Sequence, residues 1–555
     1  MHKRQQRVIS LLLLFSLLLV IIAGRLALIQ LLQGKRYAQE AVKQRAQLVV
    51  LNHNRGDILD RHGDSLLGGE KKKVLAVFPS LLNRCNSNIK DELMSAIPQA
   101  GAASAPFIAL ENLSSAEAEY FRKYHDSGLI VTTVYHRYGR EALANHLVGH
   151  IGPDDGEGKV GLEKYFNNEL QGYPHTLAAM MDGKKRLIKG LGFRFWQDEQ
   201  KGAPSDLILT IDSRIQQQVE AVMDREIHQG AVVVMDPHTG HVLAMASRPN
   251  YYQADLSTIL NNREKYKDYL DAKPFINRGL LSYPPASIFK IVVAAAAFEA
   301  GGYNLFHRFS CPGHIRIGDR TFHCSLGQPH GDLDLGEAFA QSCNTIFIQL
   351  ALELGKDTLY AYAKKMGLGE KTGLLPGSAK FDEESSGLLL LPTEMAYLGE
   401  LALMALGQGN LEATPLQLAR LTAIVANGGY LVEPRLVIGL RDEGGRMSPF
   451  RTFSSPNNVI SPLAANQLRY LMLKVVDQGT GKKAQSEKMI IGGKTGTAET
   501  GQKDFRGNPQ YYSWFSGIMP LQDSRAVITV FIEEPQGKSA AVVFKDIAET
   551  IEEFI

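Results

Sequence analysis

The chain is poor in cysteine, with four in 555 residues. That is too few for a disulfide-stapled scaffold, so its stability must come from buried apolar surface. It lacks an excess of either charge, 60 basic residues standing against 58 acidic ones. That balance leaves no footprint for nucleic acid or for a strongly acidic partner. No internal repeat and no long low-complexity tract occurs, which excludes a solenoid or a disordered array. Long apolar runs are absent too, with one exception at the N-terminus. What remains is an ordinary globular composition, 45% apolar and 21% charged, in a chain long enough for two or more domains.

The exception is the run from Val8 to Gly24 in "RVISLLLLFSLLLVIIAG", preceded by Lys3, Arg4 and Arg7. At 1.5 Å per residue such a helix spans roughly 25 Å, close to the hydrocarbon core of a bilayer. The apolar pattern resumes after Arg25 as "LALIQLL". An uncleaved single-pass anchor over residues 8–33 is expected, with a cytoplasmic tail over 1–7 set by the basic residues. A cleaved signal peptide, with "IIAGRLA" as its cleavage region, is the alternative.

Residues 34–205 mix short strand-like runs ("GLIVTTVY") with helix-like ones ("AEAEYFRKY") and many glycines. They read as an irregular α+β region of modest core. The texture changes near residue 205. "GAVVVMDPHTGHVLAMAS" predicts a β-hairpin with Gly240 in its turn. Alanine- and leucine-rich helices follow, then strands again ("GGKTGTAE", "YYSWFSGIMP", "RAVITVFIEE") and a last helix. The order predicts an α+β domain over 206–555, an antiparallel sheet with helices packed on its faces.

Three short stretches carry chemistry. In "SYPPASIFKIVVAAAAFEA", Pro284 and Pro285 place the start of a buried helix near Ser287. Lys290 lies one turn on, on the same face, where burial lowers an amine's pKa and fits it to take a serine proton. A capping serine followed by a snorkelling lysine is the plain alternative. "SCN" (Ser342, Cys343, Asn344) follows a short helix with an Asp334/Glu337 capping box and precedes a buried helix. "GGKTGTAE" places Lys494, Thr495, Gly496 and Thr497 on a strand. There a lysine and hydroxyls suit a carboxylate or carbonyl oxygen, and Gly496 admits close approach.

The order S-x-x-K, S-x-N, K-T-G resembles the penicillin-binding proteins and serine β-lactamases. "RGDILDRHG", "GLEKYFNNELQG", "NRGLLSYPPAS" and "GQGNLEATPLQLA" extend the likeness to class B penicillin-binding proteins over almost the whole chain. The resemblance implies a noncatalytic pedestal over 34–205 beneath a transpeptidase domain over 206–555, with no glycosyltransferase domain. It implies that Ser287 is the nucleophile toward D-Ala–D-Ala of a peptidoglycan stem peptide and that Lys290 is the base. By the same likeness Ser342 and Asn344 relay the proton and hold the donor, and Lys494 and Thr495 bind its carboxylate. Ser287 and Thr497 N–H groups form the oxyanion hole. β-Lactams would acylate the same serine, no cofactor is needed for catalysis, and a membrane glycosyltransferase is the implied partner.

Cys311, Cys324, His330 and Cys343 lie between the first two motifs and match the ligand chemistry of a closed Cys₃His zinc site. A Cys311–Cys324 disulfide or three buried thiols are the alternatives. The run resembles elongation-type members (penicillin-binding protein 2), some of which carry zinc beside the active site. That likeness implies a structural zinc here, and favours elongation over septal or sporulation synthesis. A carboxypeptidase or β-lactamase-type hydrolase, and a membrane β-lactam sensor, are the competing functions.

Overall fold

The computed structural model describes residues 2–31, 33–34, 37, 46–82, 91, 95–98, 103–152, 155–188, 190–196, 203–300, 302–324, 327–377, 381–450, 457–503, 507, 509–533 and 538–555. Cys85 lies outside the described residues. The chain packs as two units.

The first unit comprises Met1–Asn54, Glu70–His136 and Gly172–Gly202. Its N-terminal helix, His2–Leu31, is long and apolar enough to cross a membrane. Two three-stranded sheets follow. In one, Gln171–Met180 lies between Ala46–Arg55 and Phe193–Trp196; in the other, Glu70–Val77 lies between Phe107–Leu110 and Leu129–His136. The helix Ser115–Arg122 starts on a capping box of Ser114 and Glu117.

The second unit comprises Arg55–Gly69, Arg137–Gln171 and Ala203–Ile555. The stretch 34–205 is therefore not one continuous body, unlike the segment expected from the sequence. The reason is pairing and charge. Ile58–Leu59 adds a parallel strand to Asp206–Leu209. The fully buried carboxylate of Glu163 takes Arg55 Nε at 2.6 Å, Arg137 Nε at 2.5 Å and the Tyr138 hydroxyl at 2.9 Å. A buried carboxylate is tolerated only when paired in this way.

The centre of the second unit is a five-stranded antiparallel sheet. In chain order its strands are β1 (Gly230–Met235), β2 (Val242–Arg248), β3 (Gly492–Lys503), β4 (Pro509–Met519) and β5 (Ala526–Ile532). Their spatial order is β2-β1-β5-β4-β3. The helices that matter are α1 (Ser213–Glu226), α2 (Lys290–Ala300), α3 (Leu335–Ala340), α4 (Asn344–Leu354), α5 (Pro415–Ala426), α6 (Pro462–Asp477) and α7 (Ala540–Ile551). Every residue of β1 is buried because helices cover both faces of the sheet. Val232 and Val234 face the cluster with Val219 of α1 and Phe544 of α7. Val233 and Met235 point the other way, into the cluster with Leu421 of α5 and Leu468 of α6. The predicted hairpin is β1–β2, with Gly240 at φ +75° in its turn. Strand β3 is the sheet edge, so its outer side is open to other elements.

Candidate active site

The segment carrying Ser287 differs locally from the expected helix start. It is a 3₁₀ turn, Ala286–Phe289, and the α-helix begins at Lys290. Pro285 stands at the cap position and no side chain caps the turn, so Ser287 is not an N-cap. Ala286 sits at φ +50°, a conformation that costs of order 1–3 kcal/mol for a residue with a Cβ. Its N–H bonds Gly407 O at 2.9 Å. A Cβ on Gly407 would fall 2.0 Å from Ala286 O, so only glycine fits there.

Lys290 is fully buried rather than snorkelling. Its Nζ bonds Ser342 O at 2.7 Å, Asn344 Oδ1 at 2.8 Å and Ser342 Oγ at 3.3 Å. Burial pushes its pKa from 10.5 down to about 7, against the opposing pull of charge on Cys343 and Cys324. A neutral amine has two N–H groups and one lone pair. Ser342 O and Asn344 Oδ1 accept the two N–H groups, which leaves the lone pair for proton exchange, with the Ser342 hydroxyl 3.3 Å away. No hydrogen bond joins Ser287 Oγ to Lys290 among the described residues.

Ser342 follows α3, whose capping box of Asp334 and Glu337 forms as expected. It also lies at positive φ, +54°. The twist lets one residue turn both its carbonyl and its hydroxyl on the same lysine. Asn344 opens α4 and is held from behind by donation of Nδ2 to His323 O at 2.9 Å.

Lys494 is also fully buried, on β3. Its Nζ donates to Ser342 Oγ at 3.0 Å and Thr495 O at 3.2 Å. Two amines thus share one hydroxyl. Burial, then repulsion from Lys290, holds Lys494 well below the ordinary lysine value. A Cβ on Gly496 would lie 3.1 Å from Pro285 O and 3.4 Å from the Ala286 Cβ. Glycine at 496 is what lets the edge strand lie against the turn bearing Ser287. The three sequence motifs therefore meet in one place.

Cys311, Cys324, His330 and Cys343 also come together, their ligand atoms all within 4.8 Å of one another. Cys324 Sγ lies 3.6 Å from both Cys311 Sγ and Cys343 Sγ, and His330 Nδ1 lies 3.3 Å from Cys311 Sγ. A disulfide needs about 2.05 Å, so all three are free thiols. Tetrahedral zinc with bonds near 2.3 Å to sulfur sets sulfurs about 3.8 Å apart. The donor set and its spacing fit that ion. The Thr345 hydroxyl touches Cys311 at 3.0 Å and Cys343 at 3.3 Å, a contact the sequence did not reveal. His314 and His323 pair across an exposed hairpin, outside the group.

A second residue missed by sequence reasoning is Thr480. Its hydroxyl lies 2.6 Å from that of Thr495. Its only visible signal is the flanking pair Gly479 and Gly481 in "DQGTGK".

The family model for the penicillin binding protein transpeptidase domain matches residues 230–549. The chain belongs to this family. Among the relatives of the family, Stage V sporulation protein D of Bacillus subtilis is 28% identical over 96% of this chain and 82% of its own length. The peptidoglycan D,D-transpeptidase MrdA of Acinetobacter baumannii is 28% identical over 95% of this chain and 85% of its own. Among solved structures, the D,D-transpeptidase domain of an Eggerthella lenta peptidoglycan glycosyltransferase superposes with a TM-score of 0.62 at 29% identity. That match covers 76% of this chain and 93% of the other. The expected α+β fold and penicillin-binding transpeptidase domain are borne out. So is the reading of a class B, elongation-type member, a serine D,D-transpeptidase of cell-wall synthesis.

Proposed function

We propose that Ser287, Lys290, Ser342 and Asn344 form the acyl-transfer machinery and that Lys494, Thr495, Gly496 and Thr497 bind the donor peptide. The observation that carries this is the buried Lys290, with a pKa near 7, its N–H groups taken up by Ser342 and Asn344. The Ser287 hydroxyl gives its proton to Lys290 Nζ as Oγ bonds the carbonyl carbon of the penultimate D-alanine. The N–H groups of Ser287 and Thr497 receive the oxyanion. The carbonyl re-forms and the C–N bond breaks. The proton passes from Lys290 through the Ser342 hydroxyl to the departing D-alanine nitrogen. The amine of a second stem peptide then attacks the ester, loses its proton by the same route reversed, and frees Ser287. Because Lys494 has no exposed surface, its part is to hold the Ser342 hydroxyl, to which its Nζ donates, and open contact with the donor falls to the hydroxyls of the motif.

Cys311, Cys324, His330 and Cys343 would hold a structural zinc ion. When bound, it supplies a positive charge that keeps the thiols as thiolates and ties together the segments flanking Ser342 and Asn344. The N-terminal helix is proposed as a single-pass anchor in the cytoplasmic membrane. Lys3, Arg4 and Arg7 favour a cytoplasmic N-terminus and an extracytoplasmic catalytic unit. The first packing unit would serve as pedestal and, with the anchor, as the surface for a membrane glycosyltransferase partner.

The test is labelling of the purified protein with a fluorescent penicillin, beside Ser287→Ala. Wild type takes up one label per chain and the variant none; label on the variant overturns the serine assignment.

A further inference from the structure

A carboxylate-bearing donor must be gripped at its end, yet the lysine of the strand motif does not reach the open cleft. Lys494 is fully buried and is directed at Ser342 Oγ and Thr495 O. What stands exposed beside it is a pair of hydroxyls. Thr495 Oγ1 belongs to the strand motif; Thr480 Oγ1, 2.6 Å away, belongs to none of the three motifs.

Thr480 is fixed from two sides by its backbone. Its N–H bonds Ala340 O at 3.1 Å, at the end of α3 and two residues before Ser342. A Cβ on Gly479 would fall 2.1 Å from the same Ala340 O. Gly481 bonds Val475 O at 2.9 Å, and a Cβ there would meet Val475 Cγ1 at 2.9 Å. Both glycines are thus demanded by close packing, and the turn they form aims one threonine at the edge strand. The cost of ordering that hydroxyl is met by folding, before any ligand arrives.

We infer that Thr480 is a substrate-positioning residue, donating with Thr495 to the terminal carboxylate of the donor peptide. The two hydroxyl oxygens are spaced close to the roughly 2.2 Å between the oxygens of a carboxylate, which permits two-pronged donation. In the free protein one hydroxyl donates to the other; on binding, both turn their protons to the ligand. The buried Lys494 behind them is taken up by Ser342 Oγ and Thr495 O, so the hydroxyls supply the contact. This inference rests on the acyl-transfer reading of Ser287.

The experiment compares wild type, Thr480→Val and Thr480→Ser on two depsipeptide donors differing only at the end group, a free carboxylate or its carboxamide. Thr480→Val should lower kcat/KM for the carboxylate donor by roughly 10- to 100-fold, mostly through KM, the size of one or two charge-assisted hydrogen bonds. It should leave the carboxamide donor within about twofold, and Thr480→Ser should restore the carboxylate donor. Equal loss on both donors, or no loss on either, overturns the inference. Stoichiometric penicillin labelling of Thr480→Val at saturation shows that the variant is folded and that Ser287 still acts. If wild type itself takes no label, it is the serine reading that fails.

Discussion

Two buried polar groups sit back to back at residues 342–344, and they solve burial in opposite ways. On one side Ser342 and Asn344 meet Lys290 and Lys494; on the other Cys343 meets Cys324 and Thr345. The cleft concentrates potential cations, buried and, among the described residues, without a carboxylate as hydrogen-bond partner, so burial drives the amines toward neutrality. The cluster concentrates thiols. Hydrogen bonding with Cys343, and then with Thr345 and Cys311, lowers the pKa of Cys324, so of the clustered thiols it is the one readiest to give up its proton. A site that acts as a base must keep its own lone pair free. A site that binds a cation must leave its charge unmet. The alternation of three consecutive residues lets one loop serve both.

The largest test of this contrast is Lys290→Met. Loss of a general base costs about 10²–10⁴-fold in acylation rate, read by stopped-flow penicillin labelling. Retention of the wild-type rate would show that the lone pair at 290 does nothing. The pH profile of wild type sharpens the point. The active form is the neutral amine, whose pKa is lowered from 10.5 to about 7. The rate should therefore fall about tenfold per unit below that value and level off above it. A flat profile between pH 5 and 8 would sink the assignment.

Smaller effects belong to the cluster. Cys324→Ser should abolish zinc retention, measured by elemental analysis of protein purified without chelator, and should lower the melting temperature. Acylation should slow by roughly tenfold, because the ligand acts only by bracing its neighbours. Equal zinc in variant and wild type would remove Cys324 from the ligand set. Cys343→Asp separates the two sides most finely. It discards one thiol while leaving Ser342 and Asn344 in place, so zinc should weaken while labelling persists within a few-fold. Loss of labelling as complete as in Ser287→Ala would show that the two sides are not distinct.

Much of the site is legible in the sequence because its parts are local. Pro284 and Pro285 mark a turn, Asp334 and Glu337 mark a helix start, and Gly496 marks a close approach, each within a few residues of the group it positions. Thr480 was not legible, because its placement depends on Ala340, far from it in the chain, and on Thr495, which a turn and a strand bring back beside it. The positive φ of Ala286 and Ser342 was equally hidden; neither is a residue type that announces such a conformation. Residues 55–69 and 137–171 read as part of an upstream region. Whether a segment joins one body or another is decided by long-range partners, here Asp206–Leu209 and Glu163.

By itself the sequence determined the chemistry at hand: four hydroxyls, two amines, three thiols and an imidazole, with the local elements that carry them. The burial of Lys290 and a grouping of the thiols were already expected from the sequence; only the tertiary structure decided that Lys494 is buried as well and that both amines point at the one Ser342 hydroxyl. Burial and convergence are properties of packing between segments distant in the chain, and an amine's proton affinity follows from those surroundings rather than from its neighbours in sequence.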